Sequence, residues 1–322
     1  MTLARTWSVG LAGVHGAMVE VEVDIAQGLP GVALVGLPDT VVRQSVDRVR
    51  AAVANAGGEF PNRRITIGLS PAAMPKQGSG FDLALAAAVL AASGAVPRHA
   101  VDRLVLVGEL GLDGSVRAIR GVLPAVLAAA RAGHAQVVVP AANADEAALV
   151  ESVEVLGVRT LAEVVEHLAG RTTVPAHVPG PRPPVLPGPD LGDVVGQAAG
   201  RRAIEVAAAG GHHVFLTGPP GAGKTMLAER LPGLLPPLDE QAALEVTGIH
   251  SIAGSLPPGA PLVTRPTFEA PHHSATMAAL IGGGSGQIRP GALCRAHLGV
   301  LFLDESSDRK YPHDDGAGGW DG

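Results

Sequence analysis

The stretch Gly218-Pro-Pro-Gly-Ala-Gly-Lys-Thr225 constrains this chain more than any other. It satisfies G-x-x-x-x-G-K-[ST], with an apolar run, His213–Thr217, before it and a helical pattern, Lys224–Leu231, after it. A strand, a glycine-rich loop and a helix in that order predict an α/β unit with a phosphate site at the loop. The glycines let backbone N–H groups curl around phosphate, and the helix N-terminus adds positive potential. On this reading Gly218, Pro219, Pro220, Gly221, Ala222, Gly223, Lys224 and Thr225 form a site for ATP. Lys224 reaches the β- and γ-phosphates and assists catalysis, and Thr225 holds Mg²⁺ through its hydroxyl. The competing reading is a chance loop in a chain with 43 glycines; the agreement of motif and setting outweighs it.

Val300-Leu-Phe-Leu-Asp-Glu305 is the natural partner of that loop. Four apolar residues predict a buried strand, and two carboxylates emerge at its end. Asp304 is then the candidate Mg²⁺ ligand, through water, and Glu305 the candidate general base for the attacking water. Alone the pattern is weak, and solvated turn carboxylates would look the same; downstream of the loop it gains force.

The rest of the chain divides around Arg171–Pro189, which is dense in proline and unfit for a helix or a central strand. Residues 171–189 read as an extended linker between a unit at 1–170 and another at 190–305. In the first unit, 18–25 alternates apolar and charged residues, so that Val19, Val21, Val23 and Ile25 share one face of a strand. Short strands are also predicted at 31–36, 64–69, 104–107 and 136–139. Asp39 stands where a helix N-cap belongs, ahead of Val42, Val46, Val49 and Val53 at helical spacing. Further helices are expected at 82–92, 121–132, 144–150 and 161–168. Residues 306–322 have no periodicity and read as a disordered, aberrant tail.

Hydrophobic residues make up 47 % and charged residues 17 % of the 322, enough for packed cores. With 30 acidic against 24 basic residues and a net charge of −6, bulk charge lends no support to nucleic-acid binding, although a local patch or a ring pore remains open. The lone Cys294 excludes an internal disulfide and suits a reducing cytosol. No stretch is long and apolar enough for a bilayer, so the expectation is a cytoplasmic protein without membrane contact. His272-His273 resembles a metal pair, but adjacent histidines on a loop rarely converge on one ion without further ligands, and His212-His213, just before the apolar run, reads as structural.

With these pieces on the page, residues 190–305 resemble the AAA+ domain of magnesium-chelatase-like ATPases of the ComM/YifB type. The resemblance rests on Asp193-Val-Val-Gly-Gln197, the glycine-rich loop, Arg265–Ala275, Ala279–Gly284, Arg289-Pro-Gly-Ala292 and His297–Glu305. Residues 1–170 are similar to the N-terminal domain of the same family, an α+β domain like the proteolytic domain of Lon (ribosomal S5 domain 2-like). The matching segments are Pro75-Lys-Gln-Gly78, Gly108–Gly114 and Gly121–Gly133. The Lon dyad does not carry over: Gly80 stands at the nucleophile position beside Ser79, and Ala125 at the lysine position. Assembly or interaction is the expected role of this domain.

The resemblance implies ATP and Mg²⁺ as cofactors and a homo-hexameric ring that moves DNA by branch migration during recombination. It also implies a sensor residue, an arginine finger and a lid beyond the Asp-Glu strand, which this sequence does not show. The expectation is therefore a partial AAA+ domain that hydrolyses ATP poorly. A chelatase subunit for porphyrin metallation and a non-catalytic binding protein are the alternatives; the Lon-like first domain favours the ComM reading over the chelatase.

Overall fold

A computed structural model describes residues 3–180, 188–256, 262–284 and 289–304. The chain separates into two compact units.

The first unit is built on a mixed seven-stranded sheet in the order β3-β4-β2-β1-β5-β8-β9. Strands β1 (Ala4–Ala12), β2 (His15–Ala26) and β3 (Gly31–Val35) lead into helix α1 (Thr40–Asn55). Strand β4 (Arg64–Ser70), helix α2 (Asp82–Ser93) and strand β5 (Val105–Leu106) follow. A small hairpin, β6 (Glu109–Leu110) with β7 (Val116–Arg117), precedes α3 (Val122–Arg131). Strand β8 (Gln136–Pro140), α4 (Ala144–Ala147), β9 (Glu154–Val158) and α5 (Leu161–Leu168) complete the run. β1, β2 and β4 pair antiparallel, whereas β3–β4, β1–β5, β5–β8 and β8–β9 are parallel.

The two halves of the sheet bury differently, as their pairing requires. In β2 the alternation puts Val19, Val21, Val23 and Ile25 into the core beneath α1 and α2. The other face carries Glu20 and Glu22 with Arg5 of β1, whose Nε lies 2.8 Å from Glu22. In the parallel half both faces are covered: Val138 and Leu156 join the core of α2 and α5, and Val137, Val139 and Val155 join that of α3 and α4. Helix α2 lies between layers and is buried all round from Asp82 to Ala92, as an apolar helix in a core must be.

Asp39 caps α1, its carboxylate accepting the Val42 N–H at 2.7 Å and the Gly78 N–H at 3.2 Å. Asp39→Ala is expected to lower the stability of this unit by ~1–2 kcal/mol. Urea unfolding followed by circular dichroism checks this, and an unmoved midpoint with an unmoved slope would contradict the cap.

The second unit begins with α6 (Ala198–Gly210), α7 (Lys224–Ala228) and α8 (Leu231–Leu234). Its small core is Leu191, Val194, Ile204 and Leu227, with Leu216, Met226 and Leu231 against it. The chain then returns to the first unit. Helix α9 (Glu240–Ala253) belongs to that unit together with the described residues to Val263, whereas the sequence divides the chain simply at 171–189. The reason is packing. Leu244 joins the core of α3 and α4, Gly248 faces Pro124, and Ile252 lies over Gly121 at the start of α3. Glu146 of α4 accepts the Leu123 N–H at 2.9 Å and the Ser251 hydroxyl, so one carboxylate joins α3, α4 and α9.

The remaining short elements are β10 (Phe268–Glu269), α10 (Met277–Ile281), β11 (Gly282–Gly283), β12 (Arg289–Pro290), α11 (Ala292–Arg295) and β13 (Val300–Leu301). β10 pairs parallel with β13, and Glu269 takes Arg295 of α11 in a two-pronged ion pair at 3.1 and 2.9 Å.

Candidate phosphate-binding site

The loop Gly218–Thr225 turns on two glycines in the left-handed region, Gly221 at φ 79° and Gly223 at φ 81°. The Ala222 N–H closes a turn onto the Pro219 carbonyl at 3.2 Å. Lys224 and Thr225 open α7 with Gly223 as the cap residue. The Lys224 ammonium folds back over the loop and donates to the carbonyls of Gly218 at 2.9 Å and Pro219 at 3.3 Å. Behind the loop, the Gln197 amide donates to the Ala222 carbonyl at 2.6 Å. The loop therefore holds an ammonium over its own carbonyls, and a Cβ placed on Gly221 would meet nothing within 4 Å.

The setting differs from the sequence reading in three ways. His213–Thr217 forms no strand, and Phe215 is 81 % exposed. An apolar run becomes a central strand only when ladders form on its sides, and among the described residues none pairs with it. The helix expected over Lys224–Leu231 stops at Ala228 and resumes as α8 from Leu231. Likewise the strand expected at Val300–Leu303 is ordered as a ladder only over Val300–Leu301, beside β10. Phe302, just past that span, still donates its N–H to the Glu269 carbonyl at 2.9 Å and stacks on Phe268 with ring centres 6.0 Å apart. Asp304 lies in an exposed turn just beyond; Glu305 falls outside the described residues.

In the first unit the residues aligned with the Lon site are engaged otherwise. The Ser79 hydroxyl donates to the Glu109 carboxylate. Lys76 is fully buried, and its amine donates to the Pro71 carbonyl, so burial lowers its pKa. Ala125 is buried within α3. What sequence reasoning misses here is Arg48 with Asp82. Asp82 is 0 % exposed and takes the Arg48 guanidinium two-pronged, Nε–Oδ2 2.7 Å and Nη2–Oδ1 2.9 Å. It also accepts the Leu110 N–H at 3.1 Å. Burial pushes the Asp82 carboxyl up, against the pull of Arg48, while the hydrogen bond to Asp82 raises Arg48 further. A lone acid at the start of an apolar helix is the one signal of this pair in the sequence.

The chain is thus a mixed α/β protein whose glycine-rich G-x-x-x-x-G-K-T loop opens a helix. The family described as magnesium chelatase, subunit ChlI, matches residues 190–312, and that described as subunit ChlI of Mg-chelatase matches residues 21–143. A Mycobacterium tuberculosis protein is 56 % identical over 308 residues, 96 % of this chain and 61 % of that protein. YifB of Escherichia coli is 41 % identical over 305 residues, and competence protein ComM of Haemophilus influenzae 40 % over 310, each covering 95 % of this chain and 60 % of the relative. The chain belongs to the magnesium-chelatase-like family of YifB and ComM. It spans about three fifths of the length of these relatives. Lon protease of Trichlorobacter lovleyi is 28 % identical over 181 residues, 52 % of this chain and 22 % of that enzyme. Because the match over 21–143 carries a chelatase description, the first unit does not by family description separate the ComM reading from the chelatase reading. No helix among the described residues is long and apolar enough to cross a membrane.

Proposed function

We propose that this chain binds ATP with Mg²⁺ at Gly218–Thr225, as the AAA+ part of a cytoplasmic ComM-type protein that acts on DNA as a homo-hexameric ring. One observation carries the nucleotide reading: the Lys224 ammonium sits over the loop on the Gly218 and Pro219 carbonyls. A phosphate oxygen is a stronger acceptor than a carbonyl, so these residues fit a polyphosphate. Lys224 would exchange the carbonyls for phosphate, the loop N–H groups would orient it, and the Thr225 hydroxyl would hold Mg²⁺, with Asp304 as second ligand through water. Bound Mg²⁺ would supply charge neutralisation on the phosphates. Glu305 would take the proton of the attacking water.

Lys224→Ala is expected to abolish saturable binding of a fluorescent ATP analogue, a loss of at least about tenfold in affinity for the missing charge-assisted bonds. An unchanged titration would overturn the site. Hydrolysis by this chain is expected to be slow, because His213–Thr217, which should seat the loop, has no ladder partner among the described residues. Measurable turnover that Lys224→Ala removes would contradict that. The DNA reading is supported by 40 % identity to a competence protein along most of this chain. ATP hydrolysis raised by DNA would support it, whereas metallation of a porphyrin with a partner subunit would favour the chelatase reading.

A further inference from the structure

Gln197 lies just ahead of α6 with a backbone φ of 50°, in the left-handed region that residues with a Cβ adopt at a cost. Two hydrogen bonds hold it there. Its carbonyl accepts the Arg201 N–H at 2.8 Å, and its side-chain Nε2 donates to the Ala222 carbonyl at 2.6 Å. A carbonyl partner fixes which end of the amide faces the loop, because Oε1 cannot donate. On the far side of the contact, a Cβ on Gly223 would stand 2.7 Å from Gln197 Nε2, so the amide occupies the room a side chain would take. Helices α6 and α7 are already fastened by apolar packing at Gly200, where a Cβ would meet Leu227 at 2.8 Å. The amide therefore adds orientation to the loop rather than adhesion between helices.

The Ala222 carbonyl and the Gly223 N–H belong to one planar trans peptide and point to opposite sides of it. Pinning the carbonyl to Gln197 thus turns the Gly223 N–H to the other side of the loop. We infer that Gln197 is a positioning residue of the phosphate loop, setting the Ala222–Gly223 peptide so that its N–H faces a bound polyphosphate. This rests on the phosphate-binding reading of Gly218–Thr225.

The test uses the whole chain and two probes, a fluorescent ATP analogue and inorganic pyrophosphate as its competitor. Gln197→Leu keeps most of the side-chain volume and removes the donor. It should weaken both probes about three- to tenfold, the worth of one hydrogen bond, with thermal unfolding unmoved. Gln197→Gly accepts the left-handed backbone without strain and also lacks the amide, so it should show the same loss. Wild-type affinity in Gln197→Leu would overturn the inference, as would recovery in Gln197→Gly, which would assign the role to the backbone alone. A loss for the ATP analogue but not for pyrophosphate would also overturn it, by moving the contact to the base. If the wild-type chain binds neither probe, the phosphate reading itself falls and the inference with it; if it binds both and loses them in Lys224→Ala, only the Gln197 variants decide.

Discussion

Asp82→Ala is expected to cost the first unit about 3–5 kcal/mol of unfolding free energy, the usual penalty for leaving one member of a buried ion pair alone. Asp82 has no exposed surface, and Arg48 is largely withdrawn from water. Removing the carboxylate strands the guanidinium beside Ser45, to which it donates at 2.9 Å, and orphans the Leu110 N–H. The effect is large because one side chain joins three elements: α1 through Arg48, α2 through its own backbone, and β6 through Leu110. Replacing both partners by apolar groups, Arg48→Met with Asp82→Leu, should recover most of the loss, since no uncompensated charge remains. Urea unfolding of the single and double variants measures this cycle. A change below about 1 kcal/mol for Asp82→Ala, in the range of an exposed pair, would refute it.

The second large effect is expected at α9. Ile252 is 4 % exposed and lies against Gly121, where α3 begins. Ile252→Asp puts a carboxylate into that apolar contact and gives up the burial of an isoleucine. Together these are worth about 3 kcal/mol or more, enough to release the helix. Amide exchange should then quicken both in Glu240–Ala253 and at the start of α3, where Leu123 relies on Glu146. Unchanged exchange in α3 would show that α9 does not stabilise it.

Much of the first unit is readable because its chemistry is local. The alternation of β2 and the Asp39 cap of α1 each follow from a few adjacent residues. Strand β1 is hidden because its inward face is polar: Thr6 and Ser8 are fully buried, and their hydroxyls donate to the carbonyls of Leu104 and Leu106. No hydropathy pattern reports hydroxyls that find acceptors about a hundred residues away. Helix α9 is hidden for a related reason. Thr247, His250 and Ser251 are buried within it, so it carries no clean apolar stripe, and Thr247 is satisfied by the Ala243 carbonyl at 2.6 Å. At the phosphate loop the situation is reversed. Lys224 and its glycines are plain in the sequence, yet the strand predicted to precede them is missing, because β structure depends on non-local ladders that propensity cannot supply.

The docking of α9 also fixes an order of events during synthesis. Domains generally fold as units while the chain emerges from the ribosome. Here the seven-stranded sheet is complete by Val158, but the residues that cover α3 leave the ribosome only after the whole of Val185–Asp239 has been made. Until then the α3 surface that α9 will cover must wait, open to other apolar contacts. A nascent chain paused before Glu240 would therefore be a substrate for chaperones in a way the finished one is not.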